Sequence, residues 1–364
     1  MSVLAAIAVL AVLIFVHELG HFLAARLQHI HVNRFSIGFG PVLMKYQGSE
    51  TEYAIRGIPL GGFVGFPDED PESTIPKDDP DLLSNRPILD RAIVISAGVI
   101  ANLVFAYFLL VGQVGLIGIP EFNYNPGVRV PEVATTVSSA AAEAGIKPND
   151  VIVSIDGNSL EASPEAIQDL ITEIQSHPNQ SLQLEVKRGS EIIPIQVTPE
   201  VGEDGKGRIG VQLTHNRDVV RRKANSITEA FRFGAREFQR IVDLTLSGFG
   251  QLISNFSQTA EQLSGPVGIV AIGADIARSD AGDLFQFAAL ISINLAFINT
   301  LPLPALDGGQ LAFLLIEALR GKPLPSRVQE GVMQTGLMLI LGLGIFLIVR
   351  DTANLGWVRS LLQQ

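Results

Sequence analysis

The sequence predicts a polytopic α-helical membrane protein of about four transmembrane helices, with a soluble α+β domain inserted between the second and the third. Three observations carry that expectation. Hydrophobic residues make up 47% of the 364 and charged residues only 17%, unlike an ordinary soluble chain. Four apolar stretches approach the length needed to cross a bilayer. Between the second and third lies a different material, Glu121 to Thr214, with fourteen acidic against six basic residues. The formal net charge of −11 argues against a nucleic-acid partner, which would want a basic footprint. There are no cysteines, so disulfides, thiolate metal sites and a cysteine nucleophile are excluded.

Residues 1–31 form the first expected span. Residues 2–16 carry no charge and run directly into His17-Glu18-Leu-Gly-His21, followed by apolar Phe22 to Ala25. Four residues apart on a helix, His17 and His21 share one face. That is the geometry of two imidazoles on one Zn²⁺, with Glu18 turned aside to reach a metal-bound water as general base. Ionisable groups inside an apolar stretch are costly and face a protein interior or a watery cavity. The plainer readings are a signal-peptide core and two ordinary polar residues at a helix end. No basic residue precedes the run and no small-x-small cleavage site separates it from His17, which disfavours the signal peptide.

Residues 32–90 read as a hairpin, strand-like on both sides of Gly48-Ser49, followed by an acidic, proline-rich loop from Asp68 to Asp81. An edge strand near residues 52–56 or 60–64 could hold an extended peptide by β-augmentation. Residues 91–120 are the second span, whose Asn102 reads as a packing hydrogen bond or as a group lining the site, with packing the favoured role. Residues 125–215 contain short strands and two helical stretches, Ala140–Gly145 and Pro164–Ser176. The pattern from Ser138 to Gly157 resembles a bacterial PDZ domain.

Residues 217–283 begin basic and continue as an amphipathic helix and connector, with Phe238, Val242, Thr245, Phe249, Leu252 and Phe256 at three- and four-residue steps and Phe231 two turns before them. This helix is expected to pack on the spans or lie at the membrane interface. Residues 284–320 form a third span broken at Pro302 and Pro304 and resumed after Asp307-Gly308-Gly309. Irregular backbone at membrane depth survives only where protein or a cavity covers it. A carboxylate there is a site candidate, and Asp307 is the outstanding choice for a third metal ligand. An aspartate before Gly-Gly-Gln-Leu also suits a helix N-cap, and the residues alone leave both roles open. Residues 331–350 read as a plain fourth anchor.

His17-Glu-Leu-Gly-His21 and Asn299-Thr-Leu-Pro302-Leu-Pro304-Ala-Leu-Asp307-Gly308 together make the chain resemble the bacterial site-2 protease family of intramembrane zinc metalloproteases. Ile58-Pro-Leu-Gly61-Gly62-Phe63, Ser264-Gly-Pro-Val-Gly268 and the PDZ insert extend the resemblance over essentially the whole chain. It implies one Zn²⁺ per chain on His17, His21 and Asp307, with Glu18 as the catalytic base. It also implies that Asn299, Pro302, Pro304, Gly61 and Gly62 contact substrate, and that the 42–66 hairpin is a membrane-associated β-loop. The implied partners are single-span membrane proteins, such as anti-sigma factors or remnant signal peptides, together with membrane lipid and a PDZ ligand. The second span departs from the family's Gly-Pro-x-x-Asn in reading Gly98-Val99-Ile-Ala-Asn102, and the insert has room for one PDZ domain.

Arg26, Arg34, Lys45, Arg56, Lys77, Arg86 and Arg91 follow the first span, and Arg320, Lys322 and Arg327 precede the last. By the positive-inside rule those loops are cytoplasmic, which puts the PDZ domain outside a bacterial plasma membrane and the metal nearer its cytoplasmic side. The rival from another class is a non-enzymatic membrane adaptor that recruits partners through its PDZ domain and closes a structural metal with four protein ligands. A transporter is the third reading, disfavoured because only one span is interrupted.

Overall fold

A computed structural model describes residues 2–133, 139–202, 205–256, 264–279 and 281–354. These fall into two compact units, one from the described residues of 1–118 and 223–364, the other Ile119–Arg222.

The first unit opens with α1 (Ser2–Leu27), strands β1 (Arg34–Gln47) and β2 (Glu52–Gly65), and α2 (Ile88–Leu116). α2 begins immediately after Pro87, with Asp90 in its first turn, where a negative charge suits the helix dipole. α1 and α2 approach closely at small residues. A Cβ on Gly20 would lie 2.5 Å from the Ala97 carbonyl oxygen and 2.7 Å from the Ala101 Cβ. This is the small-residue contact by which membrane helices pack without a hydrophobic driving force.

Both β1 and β2 are long and bent, so two strands make four passes. Gly38 and Gly40, at φ 84° and 81°, turn β1, and Gly61, at φ 101°, lies within β2. Residues 42–47 pair antiparallel with 52–56, while 52–55 also pair in parallel with 34–37. Residues 34–37 in turn pair antiparallel with 62–65. The stretch 52–56 is therefore interior to the sheet, which removes one of the two candidate edges. The 62–65 pass lies at one edge of the sheet and the 42–47 pass at the other, and no described strand pairs with the far side of 62–65.

The second unit contains β3 (Ile119–Arg129), α3 (Ala140–Glu143), β4 (Val151–Ile155), β5 (Asn158–Ser159), α4 (Ala166–Ser176), β6 (Leu182–Arg188), β7 (Glu191–Val197), β8 (Glu200–Val201), β9 (Gly207–Arg208) and β10 (Thr214–Arg222). Its main sheet runs β10-β3-β4-β6-β7, with β5 on β4. Asp156 and Gly157, both at positive φ, make the tight turn between β4 and β5, as Asp-Gly pairs commonly do. Alternate residues of β6 (Leu182, Leu184 and Val186) join Val128, Ile152 and Leu170 in a closed core. Asp150 pairs with Arg188 at 2.8 and 2.7 Å and accepts from the Lys147 N–H at 2.8 Å. The unit is wider than the 125–215 expected from sequence, because Ile119 pairs with Arg222 at its neck. The pattern begins there at Ser138, which lies outside the described residues.

α5 (Ile227–Ser254) returns to the first unit. Its start follows the basic run, as expected, and that run itself lies in the strand 214–222. Ser226 caps it by accepting from Glu229 N–H at 3.1 Å, and Glu229 reaches back to the Asn225 N–H. Gly234 of α5 lies on Val111 of α2, and Thr245 donates to Asn294 at 2.9 Å. The expected helix past Phe256 lies outside the described residues. α6 (Pro266–Ser279), α7 (Ala281–Thr300), α8 (Asp307–Arg320) and α9 (Ser326–Asn354) complete the chain.

Four of the described helices are long and apolar enough to cross a membrane: Ser2–Leu27, Ile88–Leu116, Gly282–Thr300 and Arg327–Ala353. The last of these does more than anchor. A Cβ on its Gly336 would lie 2.1 Å from Pro304, Met333 Sδ accepts from the Ala305 N–H at 3.3 Å, and Asp351 accepts from the Gly268 N–H at 2.8 Å.

Candidate metal centre

The break between α7 and α8 is built to deliver one carboxylate. Pro302 and Pro304 end the helix, and Ala305 adopts φ 69°, a left-handed conformation that costs a non-glycine residue about 1–2 kcal/mol. The chain then restarts against its own predecessor. A Cβ on Gly308 would lie 2.2 Å from the Leu301 carbonyl oxygen, and one on Gly309 2.3 Å from that of Leu303. Only glycine fits at both positions. The N-cap position belongs to Leu306, which makes no side-chain cap, so Asp307 is the first helical residue and its carboxylate is not used as a cap.

That carboxylate meets the two histidines of α1. Asp307 Oδ2 lies 3.3 Å from His17 Nε2 and 3.4 Å from His21 Nε2, and the two nitrogens are 3.3 Å apart. Three corners of a tetrahedron whose centre is ~2.0–2.1 Å from each, the usual Zn–N and Zn–O lengths, are ~3.3–3.4 Å apart. The buried Asp307 Oδ2 has no hydrogen-bond donor, an arrangement that a cation would satisfy. The donor set therefore fits a mononuclear zinc site with one position left over. His21 Nδ1 lies 2.8 Å from the Val94 carbonyl oxygen. A carbonyl only accepts, so the proton sits on Nδ1 and Nε2 keeps its lone pair for a metal.

Glu18, buried beside His17, stands outside this triangle and lines the same cleft, a cavity of about 430 Å³. Gly62 of β2 makes room for it, since a Cβ there would lie 2.8 Å from Glu18 Cγ. Gly61, Gly62 and the buried Asn299 also line the cleft. Pro302 and Pro304 do not. Pro304 lies instead against Gly336 of α9, so its part is to shape the turn. Sequence reasoning missed Val94, Gln310, which lines the cleft one turn beyond Asp307, and Gly98. A Cβ on Gly98 would lie 2.3 Å from His21 Nε2 and 2.8 Å from His17 Cε1.

The family model described as Peptidase family M50 matches residues 5–343. The chain is 64% identical over 367 residues to a protein of Nostoc sp. strain PCC 7120 named as a candidate zinc metalloprotease, covering all of both. It is 51% identical to the chloroplastic membrane metalloprotease ARASP of Arabidopsis thaliana, covering 99% of this chain and 81% of that one. It is 30% identical to the regulator of sigma-W protease RasP of Bacillus subtilis, covering 97% and 99%. The PDZ domain of an SdrC-like protein from Listeria monocytogenes is similar at 26% identity and a TM-score of 0.21, covering 24% of this chain and 87% of that one. With the HExxH histidines of α1 meeting the Asp307 of a broken helix in a chain matched almost end to end, the protein belongs to peptidase family M50, the site-2 protease family.

Proposed function

We propose that this protein is an intramembrane zinc metalloendopeptidase that cuts single-span substrates within their transmembrane segments, in the manner of regulated intramembrane proteolysis. The observation that carries the proposal is the His17, His21 and Asp307 triangle beside Glu18, in one cleft with the outer pass of β2. His17, His21 and Asp307 would hold one Zn²⁺, which supplies Lewis acidity towards water and the scissile carbonyl. Glu18 takes the proton from the attacking water and passes it to the leaving amine. A helical substrate hides its peptide bonds in its own hydrogen bonds, so it must unwind before attack. Residues 62–65 offer a free row of backbone donors and acceptors for the unwound segment, and the bare Gly61 and Gly62 let its backbone come close. Asn299 is placed to hold the substrate by its amide.

The substrate class we assign is anti-sigma factors or remnant signal peptides. The chain would be multi-pass in a bacterial plasma membrane, with the metal towards the cytoplasmic side and the 119–222 domain on the other. A structural metal in a non-enzymatic adaptor would need a fourth protein ligand, and among the described residues only His17, His21 and Asp307 gather there. The test is cleavage of transmembrane model substrates by the purified protein. Activity that a chelator removes and zinc restores is expected, and activity indifferent to a chelator would refute the proposal.

A further inference from the structure

The Nδ1 atom of His17 needs a partner that His17-Glu-Leu-Gly-His21 itself does not supply. If Nε2 of His17 binds the metal, its proton resides on Nδ1, and a buried N–H without an acceptor is costly. For His21 that acceptor is the Val94 carbonyl. For His17, the only described group within hydrogen-bond reach of Nδ1 is the side-chain amide of Asn102, at 3.4 Å. Asn102 is 0% exposed, and its Oδ1 has no hydrogen-bond partner while its Nδ2 faces the ring. A carboxamide has nearly the same shape either way round. Turning it by half a revolution puts Oδ1 on the imidazole N–H without displacing a neighbour, and moves Nδ2 to the position that Oδ1 now occupies. The buried Ser292 hydroxyl donates to the Asn102 backbone carbonyl at 2.9 Å and so ties α2 to α7 at this level.

We propose that Asn102 is a positioning residue whose side-chain oxygen accepts the Nδ1–H of His17, fixing the tautomer and ring orientation that present Nε2 to the metal. Of the two roles weighed from sequence this takes the one that lines the site rather than the packing one, and it rests on the reading of His17 as a ligand. Partners of this kind, when lost, typically cost 10–100-fold in metal affinity.

The experiment measures zinc affinity of the purified full-length protein in detergent, by competition with a chromogenic chelator, alongside kcat and KM. Asn102→Leu keeps the branching at Cγ and removes the acceptor; Asn102→Asp keeps the acceptor. Zinc affinity should fall about 10–100-fold in Asn102→Leu, with kcat falling and KM little changed, and should stay native or tighten in Asn102→Asp. A residue that merely packs would shift the thermal midpoint and leave zinc affinity alone. Native affinity in Asn102→Leu would overturn the proposal, as would equal losses in both variants. Should Asn102→Leu not fold, ¹⁵N shifts of the His17 ring in the zinc-bound wild type decide it, because a proton on Nε2 would overturn it as well. A wild type that binds no zinc at all would instead defeat the proposed function.

Discussion

Gly98→Ala tests whether the metal centre depends on how near α2 comes to the two ligand rings. The added methyl carbon would lie 2.3 Å from His21 Nε2 and 2.8 Å from His17 Cε1. The first distance is more than ~1 Å inside the ~3.5–4.0 Å of optimal contact between heavy atoms. Neither side can yield cheaply. His21 is fixed through Nδ1 to Val94 of the same helix, and α1 and α2 already meet at Gly20 and Ala97. The rings must therefore shift by ~1 Å, a misplacement that can cost about 10²-fold in rate. Zinc affinity should drop as well, because the triangle of 3.3, 3.3 and 3.4 Å no longer closes. Gly112 and Gly115, on the same helix, have nothing within 4 Å of an added Cβ. Alanine at either should be neutral or stabilise by up to ~1 kcal/mol through helix propensity. Metal content, chelator competition and cleavage of a transmembrane substrate would be compared across the three variants. A Gly98→Ala protein with native zinc affinity and turnover would refute the reasoning.

Three further outcomes are expected. Glu18→Gln should keep its zinc and lose cleavage, whereas His21→Ala and Asp307→Ala should lose both, as measured by metal analysis and peptide release. In the 119–222 unit, burial pushes Asp150 up, but the Arg188 guanidinium and the Lys147 N–H outweigh it and hold the carboxyl below its usual range. Its contribution to stability is thus present above the unfolded value of about 4 and lost as pH falls through the lower folded value, so Asp150→Asn should flatten the acid side of a melting-temperature profile. Replacing Ile119–Arg222 by a short flexible linker should leave cleavage of trimmed substrates intact and admit longer ectodomains; a zinc-loaded deletion that cuts nothing would mean that the domain recruits substrates.

The parts of the candidate site that were legible in the sequence are those whose side chains would do the proposed chemistry. His17, Glu18 and His21 stand in a helical register that suits two imidazoles on one metal, and Asp307 follows a break in an apolar span, where a carboxylate marks a site candidate. Supporting parts were hidden for identifiable reasons. Val94 acts through its carbonyl, which every residue possesses, so no residue type marks it. Gly98 acts by lacking an atom, and that matters only once two helices are known to touch. The four-pass course of β1 and β2 depends on bends at Gly38 and Gly40, which a period-2 pattern cannot register. The start of α5 was readable from Ser226-Ile-Thr-Glu229, a capping box, whereas the basic run before it, on which no element was placed from sequence, forms the outer strand β10.

α2 supplies none of the three proposed ligands, yet each helix that bears one is held by it. Arg91, Val94, Gly98 and Asn102 follow one another at steps of three, four and four residues and so form one stripe of the helix. Arg91 pairs with Glu317 near the far end of α8, the helix that Asp307 begins. Val94 receives the His21 ring, Gly98 admits both imidazoles, and Asn102 meets His17. The stripe continues through Ala106 and Leu110, packed against α5 and α7. Ligands on two separate helices, α1 and α8, have no covalent reason to remain at ~2 Å from a common centre, and a third helix touching both supplies the reason. The substitutions with the largest effect on zinc, apart from the ligands themselves, should therefore fall on this stripe rather than on the loops nearest the metal in sequence.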